Sequence, residues 1–188
     1  MSMTTPGSAA VQEALRVGDR LPLLKGQFLS GRDAELPAAS SDSIALIAIG
    51  FTYQSRFPVE AWGGWYRDAM GSRRDVTFFE VPMIGGLSTL GRWFIDRGMR
   101  RGTPAALHEH VITVYGGTSD WKRRLSFSPE HEDDAYLIVL DRNGIVRWLH
   151  HGVFDQARAD DLRKVVTLLA DGSATVAGGD LAEPRNDP

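Results

Sequence analysis

Apolar positions along the chain follow two rhythms. Ile44 to Ile49 (IALIAI) is an unbroken apolar run between Ser43 and Gly50, the pattern of a strand covered on both faces in a parallel or mixed sheet. Directly after it the period lengthens. Pro58, Trp62, Trp65 and Ala69 recur at helical spacing with Phe57 and Tyr66 beside them, which predicts a helix from about Ser55 to Met70. Ser55 is its expected N-cap, and Pro58 falls in the first turn, where a missing N–H is tolerated. Gly63-Gly64 inside it costs about 1 kcal/mol per glycine relative to alanine, so the pair weakens the helix or marks a close contact.

The same alternation continues. Val76 to Val81 (VTFFEV) is β-branched and aromatic, hence a strand, closed by Pro82. Leu87, Leu90 and Phe94 predict a second helix running towards Met99, and Val111 to Tyr115 a third strand, followed by a short amphipathic piece around Trp121. Ala135 to Leu140 (AYLIVL) is a further buried strand, Asp141-Arg142-Asn143-Gly144 a turn, and Ile145 to His150 its hairpin partner. Asp155 caps a final helix striped by Leu162, Val165, Val166 and Leu169. The order is β-α-β-α, an excursion, then β-β-α: parallel strands with crossover helices and an antiparallel hairpin at the edge. Composition assigns residues 1–16 and 171–188 to disordered tails around one domain at 17–170.

Charge and composition then exclude whole classes of function. The 21 Lys and Arg against 24 Asp and Glu leave a net charge of -3, too little basic field to hold a nucleic acid. No cysteine is present, which removes thiol nucleophiles, disulfide exchange, thiolate metal sites and iron–sulfur clusters. The longest apolar run is far short of the roughly 20 residues of a membrane helix. The first residues, MSMTTPGSAAVQEALR, carry neither the apolar core of an export signal nor a good transit peptide, so the expected compartment is the cytoplasm.

The element order, together with AYLIVLDRNGIVRWLHHG at 135–152, resembles the thioredoxin-like superfamily, and VGDRLPLLKGQFLSGRDAEL at 17–36 looks like the opening segment of peroxiredoxins and periplasmic thiol-disulfide proteins. The resemblance implies a three-layer α/β fold: a central mixed sheet, helices on both faces, and an insertion before the C-terminal hairpin. In that superfamily the reactive thiols follow the first central strand, at a helix N-terminus. Here that stretch reads GFTYQSRFP, from Gly50 to Pro58, with no sulfur. The superfamily's cis-proline would fall near Asp133, Asp134 or Ala135, none of which is proline. Dithiol and peroxidase chemistry is therefore excluded.

Within the superfamily, Leu137 to Trp148 (LIVLDRNGIVRW), Gly152, and the long insertion from Ile84 to Arg124 with Pro104 and His108 are similar to the mitochondrial F-type ATP synthase assembly factors. That resemblance implies a chaperone-like protein that binds a subunit of a membrane complex on the matrix side. The absent transit peptide and the acidic loop Glu130 to Asp134 depart from it.

Three groups of residues are candidate sites. Thr52, Tyr53, Gln54, Ser55 and Arg56 occupy the position of the lost redox site and are expected to form a binding surface; Arg56 at a helix N-terminus can hold a carboxylate or phosphate. Ser55 or Thr52 as a hydroxyl nucleophile is the alternative, but no histidine lies beside them in sequence. Arg92, Trp93, Arg97, Arg100 and Arg101, extended by Lys122-Arg123-Arg124, form a basic and aromatic patch suited to an acidic partner or anionic lipid heads. As a plain helix face, the same arginines simply complement the dipole.

His108 and His110 have metal-ligand spacing, with His131, His150 and His151 the remaining histidines and His151 or Asp133 possible extra ligands, although a solvated loop explains the pair as well. Of five tryptophans, Trp62 and Trp148 are expected in the core, and Trp65, Trp93 and Trp121 at the edge of a groove. Together these features describe a non-redox, protein-binding or assembly module without cofactor or catalytic residue. A non-thiol or metal-assisted hydrolase using Ser55, Arg56 and the histidines is the alternative.

Overall fold

The computed structural model describes residues 13–85 and 89–172, and within the second segment the side chains of 89–94 and 96 lie outside that description. Leu15, assigned to the N-terminal tail from composition, is packed into the core, and its N–H donates to the Arg124 carbonyl at 2.8 Å. Ordered structure thus begins before Val17.

The predicted apolar strand is β3 (Ile44–Gly50), buried at every position. It forms the middle of a four-stranded sheet ordered β4-β3-β6-β7, with β4 at Val76–Pro82, β6 at Ala135–Leu140 and β7 at Val146–Gly152. β3 and β4 run parallel, joined by the crossover helix α1 (Arg56–Met70); β6 pairs antiparallel with both β3 and β7. The sheet is mixed, as the apolar runs predicted.

Side-chain alternation gives the sheet two cores. Ile44, Leu46, Ala48, Leu137 and Val139 face α1 and the C-terminal helix α4 (Gln156–Ala170), which contribute Val59, Trp62, Tyr66, Met70, Leu162 and Val166. Trp62 is fully buried, and each large side chain taken out of water here stabilises the fold by about 1.5–3 kcal/mol. Gly63 marks a close contact: a Cβ there would lie 2.5 Å from the Glu80 carboxyl oxygen, so the helix leaves that space for Glu80. Asp155 caps α4 as expected, accepting from the Arg158 N–H at 2.9 Å.

On the opposite face Ala45, Ile47, Ile49, Val81, Tyr136, Ile138 and Leu140 are covered differently. A second, three-stranded antiparallel sheet lies there, ordered β2-β1-β5, with β1 at Leu24–Phe28, β2 at Asp33–Leu36 and β5 at Ile112–Thr113. Helix α3 (Thr118–Arg124) completes the cover through Trp121, which is a core residue and not the groove edge expected of it. The β1–β2 hairpin has no counterpart among the predicted elements: LKGQF is interrupted by Gly26, and DAEL is only four residues long. The second predicted parallel step shrinks to two bridges, Glu80 with Val111 and Met83 with Val114. Helix α2 (Thr89–Gly102) connects β4 to that region, and Leu87 lies outside the described residues.

One hydrogen-bonded turn fixes an end of the main sheet. Asp141, 8% exposed, accepts from the N–H groups of Asn143 and Ile145 and from the Arg147 guanidinium at 2.8 Å, holding the β6–β7 turn. Gly144 follows with φ +75°, a conformation that favours glycine, and a Cβ there would meet Pro37 at 2.8 Å.

Candidate functional site

The loop between β3 and α1 leaves the sheet at the C-terminal end of β3. Its two hydroxyl residues bond each other. The Ser55 N–H donates to Thr52 Oγ1 at 3.0 Å, the Thr52 N–H donates to Ser55 Oγ at 3.1 Å, and the Ser55 hydroxyl donates to the Thr52 carbonyl at 2.7 Å. This reciprocal pair resembles a capping box, with Thr52 as the side-chain acceptor. Ser55 stands at the N-cap position of α1, but its own side chain makes no cap bond, contrary to expectation. Gly50 permits the arrangement: a Cβ there would lie 2.5 Å from Ser55 Oγ. Ser55 is 1% exposed and its hydroxyl is already committed, which makes it a structural group and a poor nucleophile.

The rest of the loop faces outward. Tyr53 is 72% and Phe57 52% exposed, and between them lies the Arg56 guanidinium, 5.1 Å from the centre of the Tyr53 ring and 4.8 Å from that of Phe57. Arg56 Nη1 also donates to the Tyr53 hydroxyl at 3.0 Å. Gln54 is exposed beside them. The result is an exposed Tyr–Arg–Phe stack at the start of α1.

A second loop, ahead of β6, meets the first. Thr52 Oγ1 donates to Asp133 Oδ1 at 2.5 Å, so Asp133 is joined to the site through Thr52. One residue further, Asp134 Oδ2 lies 3.1 Å from His131 Nδ1 and 2.8 Å from His151 Nδ1, and the two imidazole centres are 4.8 Å apart. Tyr136 supports both histidines: its hydroxyl donates to the His131 carbonyl at 3.2 Å, and its ring stacks on His151 at 5.3 Å. Burial raises the Tyr136 pKa and so keeps that hydroxyl protonated. Phe51 and Phe127 pack edge-on and Lys122 lies 4.0 Å from the centre of the Phe127 ring, closing the floor behind the two loops.

Other expected ligands point elsewhere. His108 Nε2 is 3.0 Å from the Thr103 carbonyl, whereas His110 stacks on Phe78 at 4.6 Å with Nδ1 2.9 Å from the Phe78 carbonyl. Metal-ligand spacing in sequence therefore does not become a shared site at His108 and His110, because each ring is held by a different backbone carbonyl. His150 sits on the opposite face of β7, against Trp62 and Trp148, and its burial lowers its pKa towards the neutral form.

The basic patch is partly dispersed. Arg100 Nε donates to the Leu29 carbonyl at 2.6 Å, anchoring α2 to the β1–β2 turn, while Arg97 and Arg101 are exposed. The side chains of Arg92 and Trp93 lie outside the described residues.

No protein-family profile matches the chain, and no curated protein matches it. Solved structures do. The thioredoxin domain of a thiol-disulfide oxidoreductase from Bacteroides vulgatus superimposes with TM-score 0.53 at 16% identity, covering 81% of this chain and 99% of that one. BsSco, of the Sco family of cytochrome c oxidase assembly proteins, gives TM-score 0.55 at 14% identity over 83% and 99%. A thiol peroxidase from Chromobacterium violaceum gives 0.51 at 15% over 86% and 90%. Likeness at this level establishes the thioredoxin-like α/β fold. With no cysteine in the chain, the ordinary thiol chemistry of that fold is absent from it.

Proposed function

We propose that the chain is a non-redox, protein-binding module that holds a segment of another protein on the Tyr53–Arg56–Phe57 stack. The observation that carries this reading is the exposure of two large aromatic rings around one guanidinium at the start of α1. Aromatic residues and arginine are the groups from which binding hot spots are made, and the guanidinium suits a carboxylate on the partner. A partner segment with one apolar and one acidic side chain matches this chemistry. Assisting assembly of a membrane complex is the narrower form of the proposal, supported by the resemblance at Leu137 to Trp148. The buried, committed Ser55 hydroxyl gives the hydrolase alternative no support.

Site-specific photo-crosslinking tests the proposal. A photoreactive residue replacing Tyr53 is expected to capture a discrete protein that the same residue at exposed Lys164 on α4 does not capture. Arg56→Glu should reduce capture by about thirtyfold or more, the loss of roughly 2 kcal/mol expected of a hot-spot residue. Equal labelling from both positions, or capture indifferent to Arg56→Glu, refutes it.

A further inference from the structure

We propose that His131, Asp134 and His151 form a binding site for a divalent first-row transition-metal ion of the zinc(II) type. The three side chains come from separate places: His131 ends the short turn Pro129–His131, Asp134 precedes β6, and His151 lies on β7. Their ligand atoms nevertheless all lie within 4.8 Å of one another. Two Nδ1 atoms at 3.1 and 2.8 Å from one carboxylate oxygen are close to the spacing of about 3.3 Å that tetrahedral zinc with bonds of about 2.0–2.1 Å imposes on its ligands.

The donor set selects the ion class. Two imidazoles and a carboxylate are borderline donors that suit zinc(II), cobalt(II) and their neighbours, whereas calcium and magnesium require shells made mainly of oxygen. Three protein ligands leave a coordination position for solvent or an incoming group. The side chains of His131 and His151 are 49% and 45% exposed, so an ion can enter without unfolding the protein. Tyr136 steadies both ligands, fixing the backbone of one through its hydroxyl and the ring plane of the other by stacking. Glu130, Glu132 and Asp133, all exposed in the same loop, add negative potential around the site.

The experiment uses the whole chain without a histidine tag. Zinc chloride is titrated calorimetrically in the presence of a competing chelator, and cobalt(II) chloride is followed by its visible d–d absorption, which reports coordination geometry. One ion per chain is expected, with the intense cobalt absorption of a four- or five-coordinate site. His131→Ala with His151→Ala should weaken uptake by more than the roughly 10- to 100-fold typical of losing a supporting residue. His108→Ala with His110→Ala should leave uptake unchanged. Circular dichroism checks that each variant folds, and His131→Gln serves if the double variant does not. Absence of saturable one-to-one uptake overturns the proposal, as does uptake unchanged by loss of His131 and His151. The two sites are neighbours but separable: Arg56→Glu should cut crosslinking from position 53 and leave zinc uptake intact, whereas His131→Ala with His151→Ala should do the reverse.

Discussion

Replacing Glu80 with glutamine is expected to stabilise the protein at alkaline pH and to do little in acid. Glu80 lies on β4, on the same face of the sheet as Phe78, against the gap left by Gly63 of α1. Burial, with a smaller contribution from the Glu60 carboxylate and partial relief from Arg67, pushes its pKa up from 4.5 to about 7. Between those values the unfolded chain has released a proton that the folded chain retains, so stability falls as pH rises through this window and levels off above about 7. A tenfold change in proton affinity is worth about 1.4 kcal/mol, which sets a ceiling of between about 3 and 4 kcal/mol on the loss; solvent at this partly exposed carboxyl brings the expected figure to about 1–2 kcal/mol.

Glutamine keeps the shape and cannot ionise. Urea unfolding followed by tryptophan fluorescence, from about pH 4.5 to about 8.5, should show the variant's stability curve separating upward from the wild type across the window. Any constant offset at the acid end reports hydrogen bonding and not charge. Curves that remain parallel within about 0.5 kcal/mol over the whole range would refute the reasoning, since a desolvated carboxyl must give a pH-dependent difference.

Two further substitutions test the β6–β7 turn and the loop that opens α1. Asp141→Ala removes the acceptor for two backbone N–H groups and the Arg147 guanidinium, and should cost about 2–4 kcal/mol in urea unfolding, with the β6–β7 amides losing hydrogen-exchange protection first. Gly50→Ala drives a methyl group into Ser55 and should cost about 1–3 kcal/mol; combined with Ser55→Ala, which removes the clashing oxygen, the total loss should be less than the sum of the two single losses, measured as a double-mutant cycle.

Much of the framework is legible from local pattern. The β3 run, the α1 stripe, β4, β6 and the Asp155 cap are each specified within a few consecutive residues, because burial on a strand or helix repeats at that element's own period. The β1–β2 hairpin lacks such a signal. Its two strands pair with each other, and β1 also pairs with Ile112 and Thr113, far along the chain, with Gly26 admitting the Ile112 side chain and the Thr113 carbonyl at close range. Gly63 is visible in the sequence as an anomaly in a helix, but the Glu80 carboxyl that explains it comes from another element.

By itself the sequence determined two things, a sheet of apolar strands crossed by helices and the absence of sulfur chemistry, and it marked the segment Thr52 to Arg56, between the first central strand and its helix, as a candidate site. Tertiary structure decided what gathers around that place. A bulge between Val139 and Leu140 shifts the β6–β7 register so that His151, and not His150, lies opposite Tyr136. Neighbouring residues on a strand point to opposite faces, so this one-residue slip sends His151 to Asp134 and His131 and sends His150 to Trp62. Composition and spacing cannot distinguish the two histidines, because they are adjacent and identical in kind; only the pairing of one strand with the next assigns them to different sides of the sheet.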